Sequence, residues 1–133
     1  MAEPYEHRVV VRYLEVDQQG VVFNSWYLAY FDDAMTGFFA HRGLPYQALL
    51  ADGYDFQVVH TELDWTGALG FGDDATVAVD VGHLGTTSFS LTFEVRRAGT
   101  PVCTGRTVYV CVATDGSGKR PLTPAVREAL TTA

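Results

Sequence analysis

The chain has 133 residues, 47% of them apolar, which is enough for one domain with its own core and too apolar for a disordered segment. With 16 Asp and Glu against 9 Lys and Arg the net charge is −7, so the surface repels phosphate backbones and nucleic-acid binding is not expected. No run approaches the roughly 18 apolar residues of a membrane span, and the acidic start Met1–Glu6 lacks the apolar core of a signal peptide, so a cytoplasmic location is expected.

In chain order, the β-branched run at residues 7–14 predicts a strand. Tyr27, Phe31, Ala34, Met35, Phe38 and Phe39 recur at helical spacing and predict one long helix over 25–41. Asn24 or Ser25 can cap its start. His41 and Arg42 favour its last turn, and Gly43 can end it. Pro45 fits the first position of a short helix closing at Gly53. The period then changes from 3.6 to 2. Strands are predicted over 55–66, 75–83, 87–96 and 101–114, with turns at Ala98-Gly99 and Asp115-Gly116. Thr123-Pro124 predicts a short terminal helix. Short turns imply antiparallel pairing, and one apolar helix against such a sheet makes an α+β domain spanning 1–133. The helix is apolar around most of its circumference, so the sheet is expected to curl around it. Apolar residues on the outer sheet face suggest packing against another subunit.

Chemistry is concentrated in Asp17-Gln18-Gln19-Gly20-Val21-Val22-Phe23-Asn24-Ser25-Trp26-Tyr27. A carboxylate ends a β-like run, a glycine-containing loop follows, and the long helix begins. This order sets an acid beside the unpaired N–H groups of a helix N-terminus, which carry partial positive charge. Such a pair can attack a carbonyl carbon while its oxygen is held. Alternatively, Asp17 stabilises its loop, Gly20 serves an ordinary turn and Asn24 caps the helix.

The element order, with Asp17-x-x-Gly20-Val21-Val22-Phe23-Asn24-x-x-Tyr27-Leu28-x-Tyr30-Phe31-Asp32-x-Ala34, resembles the hotdog-fold acyl-CoA thioesterases, and most of all the 4-hydroxybenzoyl-CoA thioesterase-like group. Phe71-Gly72-Asp73, Leu84-Gly85-Thr86-Thr87-Ser88-Phe89 and Arg120-Pro121-Leu122-Thr123-Pro124 extend the resemblance over nearly the whole chain. It implies a hotdog fold, a homodimer with a continuous sheet, often paired into a homotetramer, and active sites at the subunit interface. It implies hydrolysis of a small-molecule acyl thioester with no cofactor beyond the substrate's coenzyme A. Asp17 maps onto the family's catalytic carboxylate, as nucleophile through an anhydride or as base toward water. Phe23 and Asn24 stand where the family aims a backbone N–H at the thioester oxygen, with Asn24 the expected donor. Gly20, Val22, Phe23, Tyr27 and Thr87 are expected to contact substrate. Many relatives carry Tyr or His in place of Asn24.

Other residues are weighed against plainer roles. Gln18 and Gln19 can orient water or the pantetheine arm, or be exposed loop residues. Asp32 matches a frequent family acid, with a structural hydrogen bond as the alternative, and Asp33 is expected to be solvated. His60, Glu62 and Asp64 share one face of a strand, but thioester hydrolysis requires no metal. His60 and His83 are weaker candidates for a base. Neither the His-x-x-x-x-Pro-Gly pattern of hotdog dehydratases nor the Asp-x-Asn-x-x-His pattern of the hydratases is present. Trp26, Tyr27, Tyr30, Phe31, Tyr54, Phe56 and Trp65 can line an acyl pocket or simply fill the core. Cys103 and Cys111 on one strand lie too far apart for a disulfide and are expected to be buried thiols. Relatives that grip coenzyme A phosphates often carry a cation in the hairpin corresponding to Gly85-Thr86-Thr87. None stands there in this chain, which offers Arg96, Arg97, Arg106, Lys119 and Arg120 elsewhere. A carrier-protein substrate and a non-catalytic acyl-CoA binding module therefore stay open as alternatives.

Overall fold

A computed structural model describes residues 4–132; Met1–Glu3, part of the segment on which the reading of the N-terminus rests, lie outside the described residues. Strand β1 (Tyr5–Val10) is followed by a single 3₁₀ turn (Tyr13–Glu15), helix α1 (Trp26–His41), helix α2 (Tyr46–Ala51), strands β2 (Tyr54–Trp65), β3 (Asp74–Leu84), β4 (Ser88–Arg97) and β5 (Thr100–Ala113), and helix α3 (Pro124–Thr131). The strands form one antiparallel sheet in the order β1-β3-β4-β5-β2, so β1 and β2 are its edges.

Strict alternation along β3, β4 and β5 builds the sheet's inner face. Val77, Val79, Phe89, Leu91, Phe93, Val95, Cys103, Tyr109 and Cys111 point inward and are buried. Helix α1 lies across them and buries Tyr27, Tyr30, Phe31, Ala34, Phe38 and Phe39. Phe31 stacks on Phe93 with ring centroids 4.4 Å apart. Farther along the helix, Phe39 packs on Phe56 and Phe89, and Phe89 stacks on Tyr109. Helix α3 begins at a Thr123 cap, whose hydroxyl accepts the Val126 N–H, and adds Val126, Ala129 and Leu130 to the core. Arg42, just past α1, ties this helix down by donating to the Ala129 and Thr132 carbonyls. A curved antiparallel sheet around one central helix is the hotdog architecture, as expected.

Several local expectations are corrected. The first strand ends at Val10 rather than residue 14, because Arg12 and Glu15 close a turn on each other. The Glu15 N–H donates to the Arg12 carbonyl and the Arg12 N–H to Glu15 Oε1. Neither Asn24 nor Ser25 caps α1 through its side chain; Ser25 holds the cap position with helical dihedrals and makes no such bond. Pro45 sits in extended conformation just before α2 rather than inside it. As expected, the outer sheet face carries apolar residues, among them Val108, Val110 and Val112 at alternate positions of β5. Its middle carries Glu62, Asp64, Asp80, Glu94, Arg96 and Arg106, cross-linked by Arg96 to Glu94 at 2.7 Å and to Glu6 at 2.9 Å. No helix among the described residues is long and apolar enough to cross a membrane.

Candidate active site

The segment after the 3₁₀ turn folds back on itself. Val16 bridges Val22, and the Asp17 N–H donates to the Val21 carbonyl at 2.9 Å. The Gly20 N–H donates to the Asp17 carbonyl, and Gly20 takes φ +80°, the left-handed region that a side chain disfavours. The returning strand is tied to the body by the Val22 N–H on Leu69 O (2.8 Å) and the Phe23 N–H on Glu15 O (2.9 Å). Helix α1 starts at once.

This fold-back opens a cleft of about 590 Å³ lined by Asp17, Gln18, Gln19, Val21, Val22, Phe23, Asn24, Tyr27, Trp65, Gly67 and Ala68. Five of the expected site residues, Asp17, Val22, Phe23, Asn24 and Tyr27, share its wall. Asp17 Oδ1 accepts the Gln19 N–H at 2.8 Å, while Oδ2 has no partner among the described residues. The Phe23 N–H is already used, whereas the Asn24 N–H finds no acceptor among the described residues. Tyr27 is buried, accepts the Leu69 N–H on its hydroxyl and packs edge-on against Trp65, so it is a rigid part of the wall. The cleft wall thus carries a carboxylate residue and, just before a helix, a residue whose main-chain N–H finds no acceptor among the described residues, groups of the kinds that acyl transfer from a carbonyl can use.

The remaining candidates lie elsewhere. Thr87 is in the β3–β4 hairpin, where its carbonyl accepts the Cys111 N–H; it does not line this cleft within its own chain. His60, Glu62 and Asp64 share the outer sheet face, and His60 and Glu62 contact each other at 3.2 Å. Among the described residues no group of three or more His, Cys, Asp or Glu is placed to hold a metal. Cys103 and Cys111 share β5 and are free and buried; burial, with the Asp64 charge, pushes the Cys103 thiol up to about 12. Asp32 lines a second depression of about 230 Å³ between α1 and β2, with Leu28, Phe31, Val58, Thr61 and Thr107. Desolvation, then the neighbouring Asp33 charge, raises its carboxyl above the ordinary range.

Two features escaped the sequence reading, and a third entered it only as one of several available cations. Glu15 is a buried carboxylate, 3% exposed, held by Arg12 and Tyr30. Burial pushes its carboxyl up, but the Arg12 N–H, the Arg12 guanidinium and the Tyr30 hydroxyl outweigh that and hold it below the ordinary value. Arg127 rests on the Gly85 and Thr86 carbonyls (2.7 and 3.3 Å), so the hairpin that lacks a cation in sequence has one in space. Arg97 donates to the carbonyl of the cleft residue Ala68 at 2.8 Å and so sets a cation beside the cleft. The Arg12-x-x-Glu15 spacing was a signal for the first; nothing local marks the other two.

Similarity to known proteins agrees with this geometry. A profile described as the thioesterase-like superfamily matches residues 11–130. The chain is 23% identical over 120 residues to a 1,4-dihydroxy-2-naphthoyl-CoA hydrolase of Synechococcus elongatus, covering 89% of this chain and 88% of that protein. It superposes on a hypothetical protein of Thermus thermophilus with TM-score 0.88 and 30% identity, over 96% of this chain and 97% of that one. It also superposes on a gentisyl-coenzyme A thioesterase with TM-score 0.88 and 22% identity, over 95% and 99%, a likeness that shows the shared fold. The expectation of a thioester hydrolase agrees with the family and with the names of these relatives, and the chain belongs to the thioesterase-like superfamily.

Proposed function

We propose that this protein hydrolyses an acyl- or aroyl-CoA thioester to the free acid and coenzyme A, in the cytoplasm. The observation that carries this reading is the shared cleft: an Asp17 oxygen and an Asn24 N–H, both without a partner among the described residues, in a member of the thioesterase-like superfamily. Asp17 acts in one of two ways. As nucleophile it bonds to the carbonyl carbon, the C–S bond breaks, thiolate leaves, and water cleaves the resulting anhydride. As base it takes a proton from the water that attacks the carbonyl carbon; the C–S bond then breaks and the departing thiolate takes up that proton. In both, the carbonyl oxygen gains negative charge and the Asn24 N–H receives it, assisted by the positive end of α1. Gly20, which does not line the cleft, lets the loop carrying Asp17 turn back, while Val22, Phe23 and Tyr27 form the wall against the acyl group. The chemistry needs no group beyond the substrate's own coenzyme A.

The names of the relatives, a dihydroxynaphthoyl-CoA hydrolase and a gentisyl-CoA thioesterase, favour an aromatic acyl group. Arg127 and Arg97 supply cations for the coenzyme A phosphates, with Thr87 beside the former, which weakens the sequence argument for a carrier-bound substrate. The test is thiol release from short-chain, long-chain and aryl acyl-CoAs. Turnover of an aryl member is expected, and silence across the whole panel would overturn the reading in favour of a carrier-protein thioesterase or a binding module.

The site is proposed to be completed by a second copy. Strand β2 is a sheet edge whose Val58 and Val59 are half exposed, and Leu28 of α1 is exposed beside them. An exposed apolar edge strand pairs readily with another of its kind. Val58→Asp is expected to convert a dimer or tetramer into monomer on size-exclusion chromatography and to lower turnover. An unchanged elution volume would reject β2 as the interface.

A further inference from the structure

We propose that Glu15, with Arg12 and Tyr30, is a positioning unit that fixes the Asp17 carboxylate relative to the free N–H at the start of α1. The inference rests on the thioesterase reading above. Glu is rarely buried unless paired, and this one is paired at every polar atom of its side chain. Oε1 accepts the Arg12 N–H at 2.9 Å and the Tyr30 hydroxyl at 2.8 Å, and Oε2 accepts Arg12 Nε at 2.7 Å. The main-chain oxygen of the same residue accepts the Phe23 N–H at 2.9 Å. Glu15 therefore grips the chain on both sides of the fold-back. One residue, Val16, separates it from Asp17, and it holds Phe23, the residue before Asn24. Through Tyr30, it also holds the helix whose N-terminus is the proposed oxyanion site.

Arg12 reinforces the same junction. Its guanidinium lies 5.6 Å from the ring centroid of Trp26, the first residue of α1. A role confined to closing the 3₁₀ turn would explain the Arg12 contacts, since Arg12 and Glu15 are three residues apart. It does not explain the bond to Tyr30, fifteen residues away on the far side of the loop. The Arg12 side chain is largely exposed, so its ion pair adds little net stability, whereas a fully satisfied hydrogen-bond network around a buried carboxylate rigidifies its surroundings. Here it rigidifies the spacing between an attacking carboxylate and an oxyanion donor, a distance to which catalysis is steeply sensitive.

The experiment uses Tyr30→Phe, which deletes one hydroxyl and keeps the ring that packs on Tyr27. On the best acyl-CoA of the panel, kcat is expected to fall about tenfold with KM changed by less than about twofold, the signature of lost transition-state alignment. In an Asp17→Asn background the same substitution is expected to cost nothing further, because no carboxylate remains to be misplaced. A structural role would lower the thermal midpoint and leave kcat intact well below it, or reduce turnover equally in both backgrounds. Either result overturns the proposal while the thioesterase reading stands. Absence of thiol release by the native protein overturns both.

Discussion

Replacing Asp17 with Asn is expected to lower thiol release from the best acyl-CoA by at least about 10²-fold, equivalent to about 2.7 kcal/mol of transition-state stabilisation. The substitution is nearly isosteric. Its amide oxygen can still accept the Gln19 N–H, as Oδ1 does now, so the turn that shapes the cleft should persist. What disappears is the second carboxylate oxygen, which has no partner among the described residues, and the proposed nucleophilic and base routes both depend on it. Circular dichroism and the thermal midpoint should match the native protein, which separates a chemical defect from misfolding. In a single turnover of the native protein in ¹⁸O-labelled water, label entering the Asp17 carboxyl would mark the anhydride, whereas label in the product acid alone is common to the base route and to attack of water on the acyl carbon of an anhydride. Equal turnover by Asp17→Asn would sink the assignment. It would direct attention to Asp32, the other carboxylate beside a depression of the inner face, rather than to Glu62 and Asp64, which occupy the opposite side of the sheet.

The parts of this molecule legible in sequence are those dictated by local periodicity. The helical stripe Tyr27–Phe31–Ala34–Phe38 and the alternation along β3, β4 and β5 depend only on which face of an element meets the core, and both were placed within a residue or two. The first strand was drawn too long because Val11, Tyr13 and Leu14 have strand-like side chains, yet Tyr13 is 81% exposed. A turn closed by Arg12 and Glu15 overrides that propensity. The Asp17 loop was legible because acid, glycine and helix start are contiguous. Glu15 was not, since a carboxylate at the end of an edge strand reads as solvated until Tyr30 is seen to reach it from the next element. Arg127 was missed for the same reason: its partners, Gly85 and Thr86, are about forty residues away, and only the packing of α3 brings them together.

Gly105→Ala is expected to be among the most damaging single substitutions to stability, although glycine in a strand interior is ordinarily a weak point that alanine improves. Gly105 lies in the middle of β5, opposite Phe93 on one side and Leu63 on the other. A Cβ built there would come within 2.7 Å of Phe31 Cζ and 3.0 Å of the Glu62 carbonyl oxygen. Neither can retreat freely. Phe31 is 1% exposed and held against Phe93 at 4.4 Å, and the Glu62 carbonyl belongs to β2, paired through Arg106 to β5 itself. Overpacking of this kind costs about 1–3 kcal/mol, a fall of roughly 3–12 °C in thermal midpoint for a domain of this size. Trimming the obstruction should restore part of the loss, so Gly105→Ala with Phe31→Leu is expected to be more stable than the sum of the two single changes predicts. A midpoint within about 1 °C of native for Gly105→Ala alone would show that α1 can lift off the sheet at no cost, given the usual shift per kcal/mol. On the proposed mechanism the glycine also bears on function, because the close seat it gives Phe31 sets the height of α1 over the sheet. The N-terminus of that helix carries Asn24 to the Asp17 cleft, so turnover of the mutant should fall even at temperatures where it remains folded.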